Sequence, residues 1–238
     1  MTVFVNRNPK WLNWIAPEQF NDYDLFRIVI FFVFHSPCSE LSSMCRTLEE
    51  YGWSTPWRKP YYLNRQLKQA ASNYELLFSA KGYDEMDVAL DKAKLKDDFP
   101  SDLTRERICI YNNHSNQFMS VFYHLRNAFA HCRLNMADVN GECVFIIEDV
   151  QPNKKEDKVK VSARMVLRKS TLLKWIDLIE NGERDTNGQP SRRKCILTGV
   201  ASFLWTSDTS ICVSQVEIIS KPQYKSQVTI PFRRHLSR

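Results

Sequence analysis

His-Ser-Asn-Gln-Phe-Met-Ser-Val-Phe-Tyr-His-Leu-Arg-Asn-Ala-Phe-Ala-His, residues 114–131, contains neither Gly nor Pro, so nothing in it interrupts a helix. Wound at about 100° per residue, the stretch sorts into two opposed faces. Phe118, Phe122, Leu125 and Phe129 line one side at spacings of four, three and four. Gln117, Ser120, His124, Asn127 and His131 line the other. Solvated helix faces are normally rich in Glu and Lys, and this polar stripe has neither. A stripe of His, Asn, Ser and Gln is expected to line a groove or a polar interface, and helices are expected to dominate the fold around it.

Composition agrees with a helical protein. Apolar residues make up 43% of the 238 and aromatic residues 12%, enough for a packed core, while only 6 Gly argue against a turn-rich all-β chain. The formal charge of +6 and pI near 8.9 favour anionic partners moderately. The 7 Cys (38, 45, 109, 132, 143, 195 and 212) are odd in number, irregularly spaced and free of any C-x-x-C pair. That pattern reads as reduced thiols in a cytoplasmic protein, with no metal site expected; the nearest approach to one, His35-x-x-Cys38 with Cys45, reads as buried small residues beside a helix end. Met1–Pro17 has no signal-peptide pattern. Leu25–Phe34 is strongly apolar but contains Arg27 and reaches only about half of a membrane span, so it is expected in the core. No P-loop, G-x-G-x-x-G, G-x-S-x-G or H-E-x-x-H is present, and no cofactor is expected.

Outward from the central helix, the pattern predicts a short edge strand at Thr2–Val5 and a helix from an Asn21 or Asp22 cap to His35, ended by Ser36-Pro37. A second helix is expected from Ser39 to Gly52, a long one over Tyr61–Ala80, a charged helix or excursion over Tyr83–Asp97, and a short helix reaching Ile110. After the central helix the period changes. Cys143–Val150 and Val159–Leu167 read as a β-hairpin turning through 151–158, and Ser170 caps a further helix. Residues 183–194 read as a polar linker. Beyond it, a helix is expected over Ile196–Leu204, a strand or a second helix over Ile211–Ser220, and a strand over Gln227–Phe232. The expected division is therefore 1–182 as a helical domain and 183–238 as linker and C-terminal extension.

Arg126-Asn127-Ala128-Phe129-Ala130-His131 is an arginine, four residues and a histidine, with a polar residue directly after the arginine. This resembles the R-x4–6-H signature of the HEPN superfamily, and the wider string from His124 to His131 resembles the form found in bacterial toxin and defence members. The hairpin and the Ser170–Trp175 segment also resemble a plasmid-associated branch, so that the likeness spans roughly residues 20–182 while its specific part is the eight-residue motif. The resemblance implies a mainly α fold: a HEPN-like antiparallel helical bundle, here with an added β-hairpin and a small α+β C-terminal extension. It implies a metal-independent endoribonuclease that cuts at the 2′-hydroxyl side in a site shared by a homodimer, acting in the cytoplasm on RNA and held in check by an antitoxin or inhibitor protein. By resemblance His131 is the acid/base, Arg126 the phosphate clamp and Asn127 the residue that orients substrate or histidine. Toxins of this kind that are paired with a nucleotidyltransferase antitoxin often carry a tyrosine two residues after the histidine; here that position is Arg133, which puts such regulation in doubt and offers a phosphate contact instead.

The chemistry suits these residue types. Metal-free RNA cleavage needs a group that moves protons near neutral pH and a cation for the pentacovalent phosphate, and histidine and arginine supply them. His124, two turns before His131, joins Ser120, Gln117 and Arg133 as expected substrate contacts. Geometry raises one difficulty: on a straight helix Arg126 points about 140° away from His131. Either the helix unwinds before His131, or the long Arg126 side chain reaches round, or a second copy supplies the complement, with the polar stripe at the dimer axis. The competing roles are a structural ion pair for Arg126 and a helix-end residue for His131. The competing functions are a non-catalytic dimerisation or nucleotide-binding module, and a DNA-binding regulator using Arg192-Arg193-Lys194 and Arg233-Arg234.

Overall fold

The computed structural model describes residues 4–6, 22–59, 62–71, 76–97, 99–114, 116–151, 158–183, 200–202 and 217–219. In chain order the first elements are β1 (Phe4–Asn6), α1 (Tyr23–Ile30), α2 (Leu63–Ala70), β2 (Leu77–Ala80), α3 (Tyr83–Lys92) and β3 (Arg107–Tyr111). They are followed by α4 (Gln117–Ala130), β4 (Leu134–Val139), β5 (Glu142–Gln151), β6 (Lys158–Arg168) and α5 (Lys169–Asn181). The chain divides into two compact units, 1–192 and 193–238. Within the second, β7 (Val200–Ser202) pairs antiparallel with β8 (Glu217–Ile219), so the helix expected over 196–204 contains a strand; the expected strand at 227–232 lies outside the described residues.

A mixed sheet, not a helical bundle, organises the first unit. Its strand order is β2-β3-β6-β5-β4, with β1 pairing to β6. The β2–β3 pair is parallel and the others are antiparallel. The expected mainly α bundle is thus corrected to an α+β fold. Two misread segments account for most of the difference. Leu77–Ala80 was the end of an expected long helix and is β2, and Arg107–Tyr111 was an expected short helix and is β3. Arg-Ile-Cys-Ile-Tyr is a five-residue run rich in β-branched and aromatic residues, too short for periodicity to separate a buried strand from a helix. The expected helix over 39–52 is instead a chain of turns. Ser42 Oγ accepts from Met44 N, and Thr47 and Glu50 bond each other's amides, the competition by Ser and Thr side chains that pulls backbone away from helix.

The hairpin of β5 and β6 forms where the alternation placed it, with a bulge between Asp149 and Val150. The sheet's two faces follow the period of two. Ile108, Ile110, Phe145, Ile147, Met165 and Leu167 join the core containing residues of α1, α2, α4 and α5. Cys109, Val144, Val161 and Val166 face α3. Asp22 caps α1 through Asp24 N and Leu25 N, and the helix continues as a π turn over Phe31–His35 before Ser36 turns extended ahead of Pro37. Among the described residues no helix is long and apolar enough to cross a membrane.

The end of α5 is pinned by a glycine. Trp53 Nε1 donates to the Ile179 carbonyl at 3.0 Å, and the buried Glu183 carboxylate accepts from Ser54 N at 2.6 Å and Thr55 N at 2.8 Å. Between them Gly182 sits at φ +67°, where a Cβ would collide with the Tyr51 carbonyl oxygen. A side chain there meets both left-handed strain and backbone that cannot give. Gly182→Ala is expected to cost about 3 kcal/mol, read as a lower midpoint in urea unfolding; an unchanged midpoint would show that this junction moves freely.

Candidate functional site at the end of α4

The helix at the centre of the sequence forms as its two stripes require. Phe118, Phe122, Leu125 and Phe129 are all buried, and Phe118 and Phe122 meet Trp175 edge-on while Phe129 stacks on Phe32 at 5.4 Å. At its start Asn116 Oδ1 accepts from Phe118 N at 2.8 Å, an N-cap.

The polar stripe divides. Its first half serves the sheet. Gln117 Nε2 donates to Ser79 Oγ on β2 at 2.8 Å. Buried Ser120 donates to Asn112 Oδ1 at 2.8 Å and accepts from His114 N. His124 is 1% exposed, with Nδ1 at 2.7 Å from Asp149 Oδ2 and Nε2 at 2.8 Å from the Tyr111 carbonyl oxygen. A carbonyl only accepts, so Nε2 carries a proton and both ring nitrogens are committed to the fold. Substrate cannot reach His124, and the role expected for it as a groove residue is corrected to that of a buried tie between α4 and β5.

Arg133 also leaves the site. It is 8% exposed and donates to Glu148, which accepts from Arg164 Nε at 2.9 Å as well. Glu148 is fully buried, and a buried carboxylate must be matched by charge and donors; Arg133 and Arg164 do this. Arg164 then spans to the carbonyls of Leu95, Lys96 and Asp97 beyond α3. The phosphate contact expected of Arg133 is therefore replaced by an internal one.

The other end of the stripe stays accessible. His131 is the C-cap of α4 and is exposed, with φ −101° and ψ 8°. Its amide still bonds to the Asn127 carbonyl at 2.9 Å, so the helix does not unwind before it. Past His131 the chain closes as a Schellman turn: Cys132 N bonds to Phe129 O, Arg133 N to Ala128 O at 2.8 Å, and Cys132 takes the left-handed position at φ +52°. Among the described residues the His131 imidazole makes no hydrogen bond. Arg126 and Asn127 are half-buried, and Arg126 Nη1 donates to Asn127 Oδ1 at 3.4 Å. Arg126 Nε is enclosed and has no partner among the described residues.

A second group of residues lies against the same helix. Burial pushes the Cys38 thiol up to about 12; the Ser36 hydrogen bond pulls against this, the Glu40 charge adds to it and the Arg126 charge opposes it. Glu40 Oε1 lies 3.8 Å from His114 Nε2, and the His114 ring packs 5.3 Å from the Tyr123 ring. Tyr123, Arg126 and Asn127 share one helix face at three- and four-residue spacing. Sequence reading named neither Glu40 nor Tyr123 as a site residue and gave His114 no role, because only folding of the 36–46 turns onto α4 assembles them.

No family model, curated protein or solved structure matches this chain.

The site is therefore defined by its own geometry: an accessible histidine at a helix end, an arginine–asparagine pair one turn earlier, and a histidine–glutamate pair packed on Tyr123 of the same helix.

Proposed function

We propose that this chain is a metal-independent endoribonuclease of the kind its Arg126–His131 motif resembles, cleaving RNA by attack of a 2′-hydroxyl on the adjacent phosphate. The observation that carries the reading is the exposed His131, whose imidazole makes no hydrogen bond among the described residues, at the end of the helix that carries the Arg126–Asn127 pair. An imidazole in that position moves a proton to or from a ribose oxygen, and the guanidinium neutralises the crowded phosphate. Asn127 Oδ1, already in contact with Arg126, sets the direction of the fork. The intact helix leaves two of the three earlier routes for joining Arg126 to His131: the long side chain reaches round, or a second copy of the chain completes the site. We favour a homodimer, because one chain's α4 presents the two groups in divergent directions. The proposed setting is the bacterial cytoplasm, as a toxin or defence nuclease held by an inhibitor protein. In single-stranded RNA with a chelator present, wild type is expected to cleave and His131→Ala to lose about 10²–10⁴-fold in rate. Equal cleavage by the two proteins would overturn the reading.

A further inference from the structure

Cleavage through the 2′-hydroxyl needs two proton-transfer groups, one to take the attacking proton and one to supply the departing 5′-oxygen. We propose that His114, oriented by Glu40, is the general base that accompanies Arg126, with His131 as the acid. This rests on the ribonuclease reading and adds to it a residue outside the motif.

Four observations bear on it. Among the described residues His114 Nε2, which has no accessible surface, finds no hydrogen-bond partner, and Glu40 Oε1 lies 3.8 Å from it. The His114 side chain is nonetheless 25% exposed, so its accessible part lies away from Nε2. Tyr123 packs against the ring and fixes its plane. Arg126 follows Tyr123 by three residues on the same helix face, and the charges of Glu40 and Arg126 both act on the Cys38 thiol, the carboxylate raising it and the guanidinium lowering it. A carboxylate facing one ring nitrogen selects the tautomer with its proton there and leaves the other nitrogen as an acceptor. The 3.8 Å separation is long for a hydrogen bond, as is common before substrate closes a site.

The groups that contact His114 are Glu40 from the turns after α1 and Tyr123 and Ser120 from α4; Arg126 follows Tyr123 by three residues on the same helix face. Proton flow balances. His114 Nδ1 takes the 2′-hydroxyl proton as the 2′-oxygen bonds to phosphorus; the bond from phosphorus to the 5′-oxygen breaks; His131, entering protonated, gives its proton to that oxygen. The products are a 2′,3′-cyclic phosphate and a 5′-hydroxyl. Within one chain Tyr123 and His131 are about 12 Å apart along the helix axis, too far for both histidines to meet one phosphate. If two α4 helices cross antiparallel about Arg126 and Asn127, position 131 of one copy falls opposite Phe122–Tyr123 of the other. His131 from a second copy then faces His114, and each site has one of each.

The experiment compares full-length wild type, His114→Ala, Glu40→Gln and His131→Ala on a single-stranded RNA oligonucleotide, with folding checked by circular dichroism. His114→Ala is expected to lose about 10²–10⁴-fold in kcat with little change in KM, and the rising limb of the pH–rate profile should disappear with it. Glu40→Gln should lose roughly tenfold, following other carboxylates that orient histidine or metal-bound imidazole. Imidazole nitrogen NMR of wild type should find His114 protonated at Nε2, with that preference lost in Glu40→Gln; this readout does not depend on cleavage and survives a failure of His114→Ala to fold. Wild-type kinetics and pH profile in His114→Ala, alongside an inactive His131→Ala, would overturn the assignment and leave the ribonuclease reading standing. A folded wild type that cuts no RNA would remove both.

Discussion

His124→Ala is expected to lower stability by about 3–5 kcal/mol, the cost of removing one member of a buried, hydrogen-bonded histidine–aspartate pair. The loss has three sources on the same side chain. Among the described residues the Asp149 carboxylate, on a residue 4% exposed, keeps the 3.3 Å bond from Ser162 Oγ alone. The Tyr111 carbonyl loses its donor. The vacated volume sits between α4 and the sheet, in packing that relaxes little. Removing both partners is milder than removing one, because no carboxylate is stranded. His124→Leu with Asp149→Leu should therefore recover part of the loss, though not all, since the Tyr111 carbonyl does not regain the donor that His124 supplies. Urea unfolding followed by far-UV circular dichroism measures the series, and a cost below about 1 kcal/mol for His124→Ala would mean the pair is solvated and worth no more than a surface contact.

The same residue explains how far the sequence could be read. The boundaries of α4 were legible because its apolar stripe and uninterrupted run admit no other structure. The meaning of its polar stripe was not. An uncharged polar face opposite a phenylalanine face fits a groove lining and fits equally a helix wedged between a core and the polar groups of a sheet. Asp149 decides between these for His124, and it lies in a strand whose apolar neighbours give no hint of an inward carboxylate. Arg133 was misread for a related reason: two residues past the motif it looks like a surface cation, and its buried counter-charge, Glu148, is fifteen positions away across a strand pair. The fold itself turned on β2 and β3, whose four and five residues carry no usable period. Once these pair with β6 through β3, a helical bundle is no longer possible, because the sheet occupies the place where further helices would pack.

Arg126→Ala is expected to reduce kcat/KM on RNA by about 10³-fold, near 4 kcal/mol of transition-state stabilisation, while changing the unfolding free energy by less than about 1 kcal/mol. The two numbers together separate the catalytic role from the structural one. Were Arg126 chiefly a structural ion pair, its removal would strand a carboxylate and cost stability; among the described residues its side chain instead donates at 3.4 Å to the neutral Asn127 and leaves Nε unpartnered. Arg126→Lys sharpens the test. Lysine keeps the charge but lacks the planar fork that grips two phosphate oxygens at once, so it should recover tenfold at most. Full recovery by lysine would reduce Arg126 to a point charge, and its contact with Asn127 would then have no part in the chemistry. Loss of several kcal/mol of stability in Arg126→Ala would assign the residue to the core. The predicted pattern, large in rate and small in stability, arises only if the guanidinium is held half-buried for a ligand that the folded chain does not itself provide.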